Sequence, residues 1–209
     1  MTRPGLIAAL AALVLAGPAA AHDGVAHATP AQATAHAAPA AGALPFPVEI
    51  ALRFTLTDQT GRAVSEADFT GHPVALFFGY ANCVAICSVA LPAMAAALDL
   101  LGPEGAAIAP LMITVDPARD TPAAMARALP RYHPRLIGLT GDPAALAAAR
   151  AAFQVEAAEV ARDAAGDPVF AHGSFIYLIG PDGRVLSVLP PILAPERIAD
   201  LMRHHLLRG

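Results

Sequence analysis

The run Val74-Ala75-Leu76-Phe77-Phe78-Gly79-Tyr80-Ala81-Asn82-Cys83-Val84-Ala85-Ile86-Cys87 contains both cysteines of the 209-residue chain. Its first seven residues, Val74 to Tyr80, read as a short strand buried on both faces. Val84 to Leu101 then has helical composition, dominated by alanine and leucine. Cys83 and Cys87 are four residues apart, about one helical turn, so a helix beginning near Asn82 projects both sulfurs from one face of its first turn. A helix start also presents unpaired N–H groups and a partial positive charge, which favour thiolate over thiol. Two convergent soft ligands at a strand-to-helix turn are the expected chemical centre.

C-terminal to this centre, Ala109 to Val115 reads as a second buried strand ending at Asp116-Pro117, which completes a β-α-β unit. Pro122 opens a short helix to about Leu129, and Leu136 to Leu139 reads as a strand. Asp142-Pro143 supplies a capping residue and a first-turn proline for a helix to Phe153. Ser174 to Ile179 and Val185 to Leu189 flank the turn Gly180-Pro181-Asp182-Gly183-Arg184, and Pro195 begins a terminal helix through Leu207. On the N-terminal side, Val48 to Leu56 and Ala63-Val64 flank Asp58-Gln59-Thr60-Gly61-Arg62 as a hairpin. This order is that of an α/β, thioredoxin-like fold with an N-terminal β-hairpin extension and a C-terminal β-hairpin plus helix.

The first 21 residues have the form of a cleavable secretory signal. Arg3 precedes an apolar stretch from Leu6 to Gly17, and Ala19-Ala20-Ala21 gives an A-x-A site with cleavage expected after Ala21. The stretch is short for a membrane span, so membrane association is expected only if the leader is retained. Residues 22–45 are rich in Ala, Pro, Thr and His, and bury too little apolar surface to offset the entropy of ordering, so they read as a flexible tether. The folded domain is expected over 46–209. Loss of 21 of 209 residues leaves 188, enough for one domain with a real core.

The formal charge of −4 at pH 7 becomes −5 once Arg3 leaves with the signal. Lysine is absent and the 13 arginines are scattered, so nucleic acid is not an expected partner. Export places the two cysteines in an oxidising compartment, where a structural disulfide is one reading. A bridge closing so short a loop restrains the unfolded chain little, which weakens that reading.

Three blocks carry a resemblance to the Sco/SenC family, exported thioredoxin-like copper proteins associated with assembling the binuclear copper site of cytochrome oxidase. Phe78-Gly79-Tyr80-Ala81-Asn82-Cys83-Val84-Ala85-Ile86-Cys87 is similar to the family's strand-to-helix C-x-x-x-C. Thr114-Val115-Asp116-Pro117-Ala118-Arg119-Asp120-Thr121-Pro122 is close to its V-D-P-x-R-D-T-P. His172-Gly173-Ser174-Phe175-Ile176-Tyr177-Leu178-Ile179-Gly180-Pro181-Asp182-Gly183 resembles its histidine-bearing block, with one extra residue between histidine and serine. Val84 and Ser88 stand where the family usually has proline. The resemblance covers roughly residues 46 to 207.

What the resemblance implies is a copper metallochaperone with Cys83, Cys87 and His172 as metal ligands. Two thiolates favour Cu(I), an imidazole also accommodates Cu(II), and three ligands leave an open side for handing the ion onward. Structural zinc normally closes four ligands, and three candidates are present. The implied partners are a copper-acceptor protein such as a cytochrome oxidase subunit, and a thiol reductant protein that keeps the sulfurs reduced. The alternative is a thiol-disulfide oxidoreductase in which Cys83 attacks and Cys87 resolves. Leu76 and Tyr80 occupy the positions where a peroxiredoxin motif has Pro and Thr or Ser, so that chemistry is not expected, and neither is hydrolysis.

Of the other polar residues, Asp116, Arg119 and Asp120 read as a turn and salt bridge, with Asp120 capping the helix at Pro122. Phe78 and Tyr80 are expected as core and pocket wall. His72 and His133 are expected in solvated loops, with His133 an outside candidate ligand. His22, His27 and His36 lie in the tether.

Overall fold

The computed structural model describes residues 51–81 and 87–207. Apolar patterning dictates its centre. The strand β3 (Val74–Gly79) is buried at every position, and the neighbouring Phe77 and Phe78, whose side chains leave opposite faces, are both fully enclosed. Both faces of the strand are therefore covered, as an uninterrupted apolar run requires. β4 (Ala109–Thr114) lies parallel to β3 and β5 (Ile137–Thr140) parallel to β4, joined by the helices α1 (Cys87–Leu101) and α2 (Pro122–Ala128). Parallel neighbours require such crossovers.

Antiparallel strands close the sheet on both sides. β1 (Thr55–Asp58) pairs with β5 and with β2 (Ala63–Ser65), while β8 (Ile176–Ile179) pairs with β3 and with β9 (Val185–Leu189). The order across the seven strands is β2-β1-β5-β4-β3-β8-β9. The N-terminal and C-terminal hairpins thus flank a central parallel unit, and the fold is α/β and thioredoxin-like with both expected extensions. Gly183, with φ +80, makes the β8–β9 turn, where Gly180 N donates to Arg184 O and Gly183 N to Gly180 O.

α3 (Pro143–Ala152) starts on Asp142, whose Oδ1 accepts from Ala144 N and Ala145 N. Just past its end, Phe153 packs on Phe78 and Tyr177 with ring centroids 5.4 and 5.1 Å away. α4 (Pro195–Met202) packs against α1 and runs into a π-helical turn over Arg203–Leu207. No described helix is long and apolar enough to cross a membrane.

Several elements differ from the sequence expectations. Ser174 and Phe175 precede β8 rather than begin it, and among the described residues the first strand is Thr55–Asp58, with Ala51 making an isolated bridge to Arg184. The described part of the cysteine helix begins at Cys87, while residues 82–86, where a start near Asn82 was expected, lie outside the described residues, as do the leader and tether. Thr121 rather than Asp120 caps α2, through an Oγ1 that accepts from Ala124 N. A separate two-stranded sheet was not anticipated at all: β6 (Ala157–Arg162) pairs antiparallel with β7 (Pro168–His172). Its turn has a local cause, since Asp163 Oδ1 accepts from Ala165 N and Asp167 N while Gly166 adopts φ +85.

Candidate metal site

The chain enters the cysteine segment from Ala81, and three side chains fix that residue. Its N–H donates to Asp120 Oδ2 at 2.9 Å, and its carbonyl accepts from Arg131 Nη2 at 2.9 Å and Tyr132 Oη at 3.1 Å. Ala81 is buried, so each of these bonds satisfies a backbone group that would otherwise cost about 1–3 kcal/mol. The last described residue before Cys83 is therefore held by residues from two other segments. Cys83 lies outside the described residues, and of Cys87 only its place at the head of α1 is described.

His172 is the last residue of β7, half-buried, and its ring stands edge-on to Phe77 and Tyr80 with centroids 6.1 and 6.0 Å away. Tyr80 precedes Cys83 by three residues, so β7 delivers the imidazole to the end of β3 from which the cysteine segment departs. The hairpin unseen in the sequence is what carries the ring, at the end of its second strand. Nδ1 lies 3.1 Å from Gly173 O. A carbonyl can only accept, so the neutral ring holds its hydrogen on Nδ1 and presents its lone pair on Nε2, the arrangement used by metal-binding histidines.

Burial pushes the His172 pKa below the ordinary histidine value, with the Gly173 contact opposing it. A depressed histidine pKa gives stability that is present above the unfolded value of about 6.5 and is lost as pH falls through the folded value. His133 and His205 shift the same way, both mainly by burial. Urea unfolding at pH 7 and pH 5 is therefore expected to show a larger acid loss in the native protein than in His172→Asn. Equal losses in the two would remove His172 from the acid response.

Around these residues lies a polar network whose role could not be read from spacing. Asp120 is buried, and besides Ala81 N its Oδ2 accepts from Thr114 Oγ1 at 2.7 Å. Burial raises its pKa, while those two hydrogen bonds pull the other way. Arg119 pairs with buried Asp116 through Nε, contacts Asp167 Oδ2 through Nη1 at 3.2 Å, and donates from Nη2 to Pro168 O at 2.9 Å. Its guanidinium also sits 5.7 Å from the centroid of the Tyr80 ring. Tyr80 itself is enclosed, edge-on to Phe170 at 5.7 Å. Phe78 belongs to the core cluster with Phe153 and Tyr177, away from His172.

His72 is exposed, as expected. His133 is not solvated: it is buried, accepts from Arg135 N at Nδ1, and turns Nε2 towards Asp99 Oδ1 at 3.6 Å. Asp99 lies twelve residues along α1 from Cys87, about 18 Å at 1.5 Å per residue, which places His133 at the far end of the helix from the cysteines. Among the described residues no three His, Cys, Asp or Glu side chains converge on a point.

Comparison with known proteins gives the context for this arrangement. The sequence model of the SCO1/SenC family matches residues 43–207. A mitochondrial SCO2 homolog from Danio rerio is 37% identical over 155 residues, covering 73% of this chain and 56% of that protein. The chain thus spans little more than half the length of that relative. Among solved structures, Bradyrhizobium japonicum ScoI with copper bound is 36% identical with a TM-score of 0.68, over 75% of this chain and 99% of that one. Yeast Sco1 with copper bound is 29% identical with a TM-score of 0.69, over 76% of this chain and 88% of that one. The match extends across the sheet, the cysteine segment and the strand that carries His172, and the chain belongs to the SCO1/SenC family.

Proposed function

We propose that this protein is a copper metallochaperone that binds one copper ion through Cys83, Cys87 and His172 and delivers it to a copper-acceptor protein such as a cytochrome oxidase subunit. The observation that carries the proposal is the His172 ring beside Tyr80, with its lone pair on Nε2, three residues from Cys83. Copper bound to Bradyrhizobium ScoI and yeast Sco1 supports the choice of metal. Two thiolates hold Cu(I), the imidazole adds a ligand that Cu(II) accepts, and the missing fourth ligand lets an acceptor cysteine or histidine enter and take the ion.

The leader directs the protein to an exported, periplasmic location, with residues 22–45 as its tether. There the sulfurs need a thiol reductant protein before loading, because a Cys83–Cys87 disulfide offers no thiolate. The same pair supports a second reading, thiol-disulfide exchange with an acceptor. Titration of the reduced protein with copper separates the two. One copper per chain, released to a copper-free acceptor domain, is the outcome for a chaperone. A dithiol that reduces the acceptor's disulfide but binds no copper at stoichiometric concentrations assigns the protein to exchange chemistry.

A further inference from the structure

Among the described residues the hairpin that carries His172 forms a two-stranded sheet of its own. Two strands alone are marginally stable in water, so the position of His172 depends on whatever anchors β6 and β7 to the rest of the molecule. The anchors differ at the two ends of β7. At its C-terminal end His172 stands edge-on to the rings of Phe77 and Tyr80. At its N-terminal end a single side chain makes directional bonds: Arg119 joins Asp116 at the end of β4 to both Asp167 and the carbonyl of Pro168, the first residue of β7. The fork geometry of guanidinium allows these three contacts at once, with its central carbon over the Tyr80 ring, a combination that an ammonium cannot reproduce. Asp120, the next residue, fixes Ala81 N. One loop therefore holds both the strand that leads to the cysteines and the hairpin that leads to the histidine.

We propose that Arg119 is a positioning residue of the copper site, bracing the β6–β7 hairpin against the end of β4 so that the His172 imidazole is held where the cysteine segment begins. The proposal rests on the copper-binding assignment made above. With each of its three nitrogens engaged inside the molecule, Arg119 acts through His172 and not by contact with a partner. Cu(I) held by two thiolates is indifferent to the brace, whereas Cu(II), which uses the imidazole, requires it.

The test measures Cu(I) and Cu(II) affinities by chelator competition, with the Cu(II) electron paramagnetic resonance spectrum, for the full chain and for Arg119→Lys, His172→Ala and the double variant. Arg119→Lys is expected to lose about 10- to 100-fold in Cu(II) affinity, the usual cost of removing an outer partner of a metal ligand, and to shift its spectrum towards that of His172→Ala. Its Cu(I) affinity is expected to stay within about threefold of the parent. The double variant is expected to bind Cu(II) no more weakly than His172→Ala, because the brace has nothing left to position. Additive losses, or an Arg119→Lys protein indistinguishable from the parent, would overturn the role. If Arg119→Lys does not fold, Asp167→Ala, which cuts only the exposed arm of the brace, decides by the same comparison. A parent protein that binds no copper overturns the copper assignment and the brace with it, whereas a parent that binds normally beside an unaffected variant overturns the brace alone.

Discussion

Cys83→Ser is expected to abolish stoichiometric copper binding, with Cu(I) affinity falling by at least roughly a thousandfold, about 4 kcal/mol. Serine keeps the volume of the side chain but replaces a polarisable, readily ionised sulfur with a hard hydroxyl that stays protonated at neutral pH, and Cu(I) selects soft ligands. The thiolate and imidazole that remain hold Cu(I) far more weakly than two thiolates do. The loss should appear in competition with a Cu(I) chelator under reducing conditions, with the fold intact by circular dichroism. Cys87→Ser is expected to behave alike. Binding of one copper at undiminished affinity by either variant would contradict the assignment of the sulfurs.

The second large effect concerns the fold that presents this site. Phe78→Ala is expected to destabilise the protein by about 3–5 kcal/mol, the range for emptying a buried aromatic position. Phe78 is wholly enclosed in the central strand, and its ring packs tilted on Phe153 and edge-on to Tyr177, which also touch each other. Removing it opens a cavity that a central strand, hydrogen-bonded to β4 and β8 on its two sides, cannot collapse to fill. The urea midpoint should fall with little change in slope. A loss below about 1 kcal/mol would mean that this aromatic cluster does not organise the core.

Much of this architecture is legible in the chain because its causes are local. The uninterrupted run from Val74 announces a strand buried on both faces, Asp142-Pro143 announces the start of α3, and Gly180 to Arg184 announces the last hairpin. β6 and β7 escape notice for a physical reason. Ala157-Ala158-Glu159-Val160-Ala161-Arg162 has Val160 as its one β-branched residue and no aromatic one, and all but Ala157 are exposed, so no core alternation exists to be read. The Asp163-Ala164-Ala165-Gly166-Asp167 turn was the available signal. Asp120 shows the complementary limit: adjacent to a helix start, it looks like a cap, but Thr121 takes that place and Asp120 turns inward to bind Ala81, a partner 39 residues away. Arg119 likewise reaches Pro168 across 49 residues, a contact that no local pattern encodes. His172 was found through its flanking block, while its aromatic surroundings depend on the unforeseen hairpin.

The central claim is that one imidazole, from His172, joins two sulfurs on a single copper ion. Its most direct test is pulsed electron paramagnetic resonance on the Cu(II)-loaded protein, read beside the sulfur-to-copper absorption, for the parent and for His172→Ala. Coupling to one imidazole nitrogen is expected in the parent and its disappearance in the variant, with the sulfur absorption retained but shifted. An unchanged imidazole coupling in His172→Ala would contradict it.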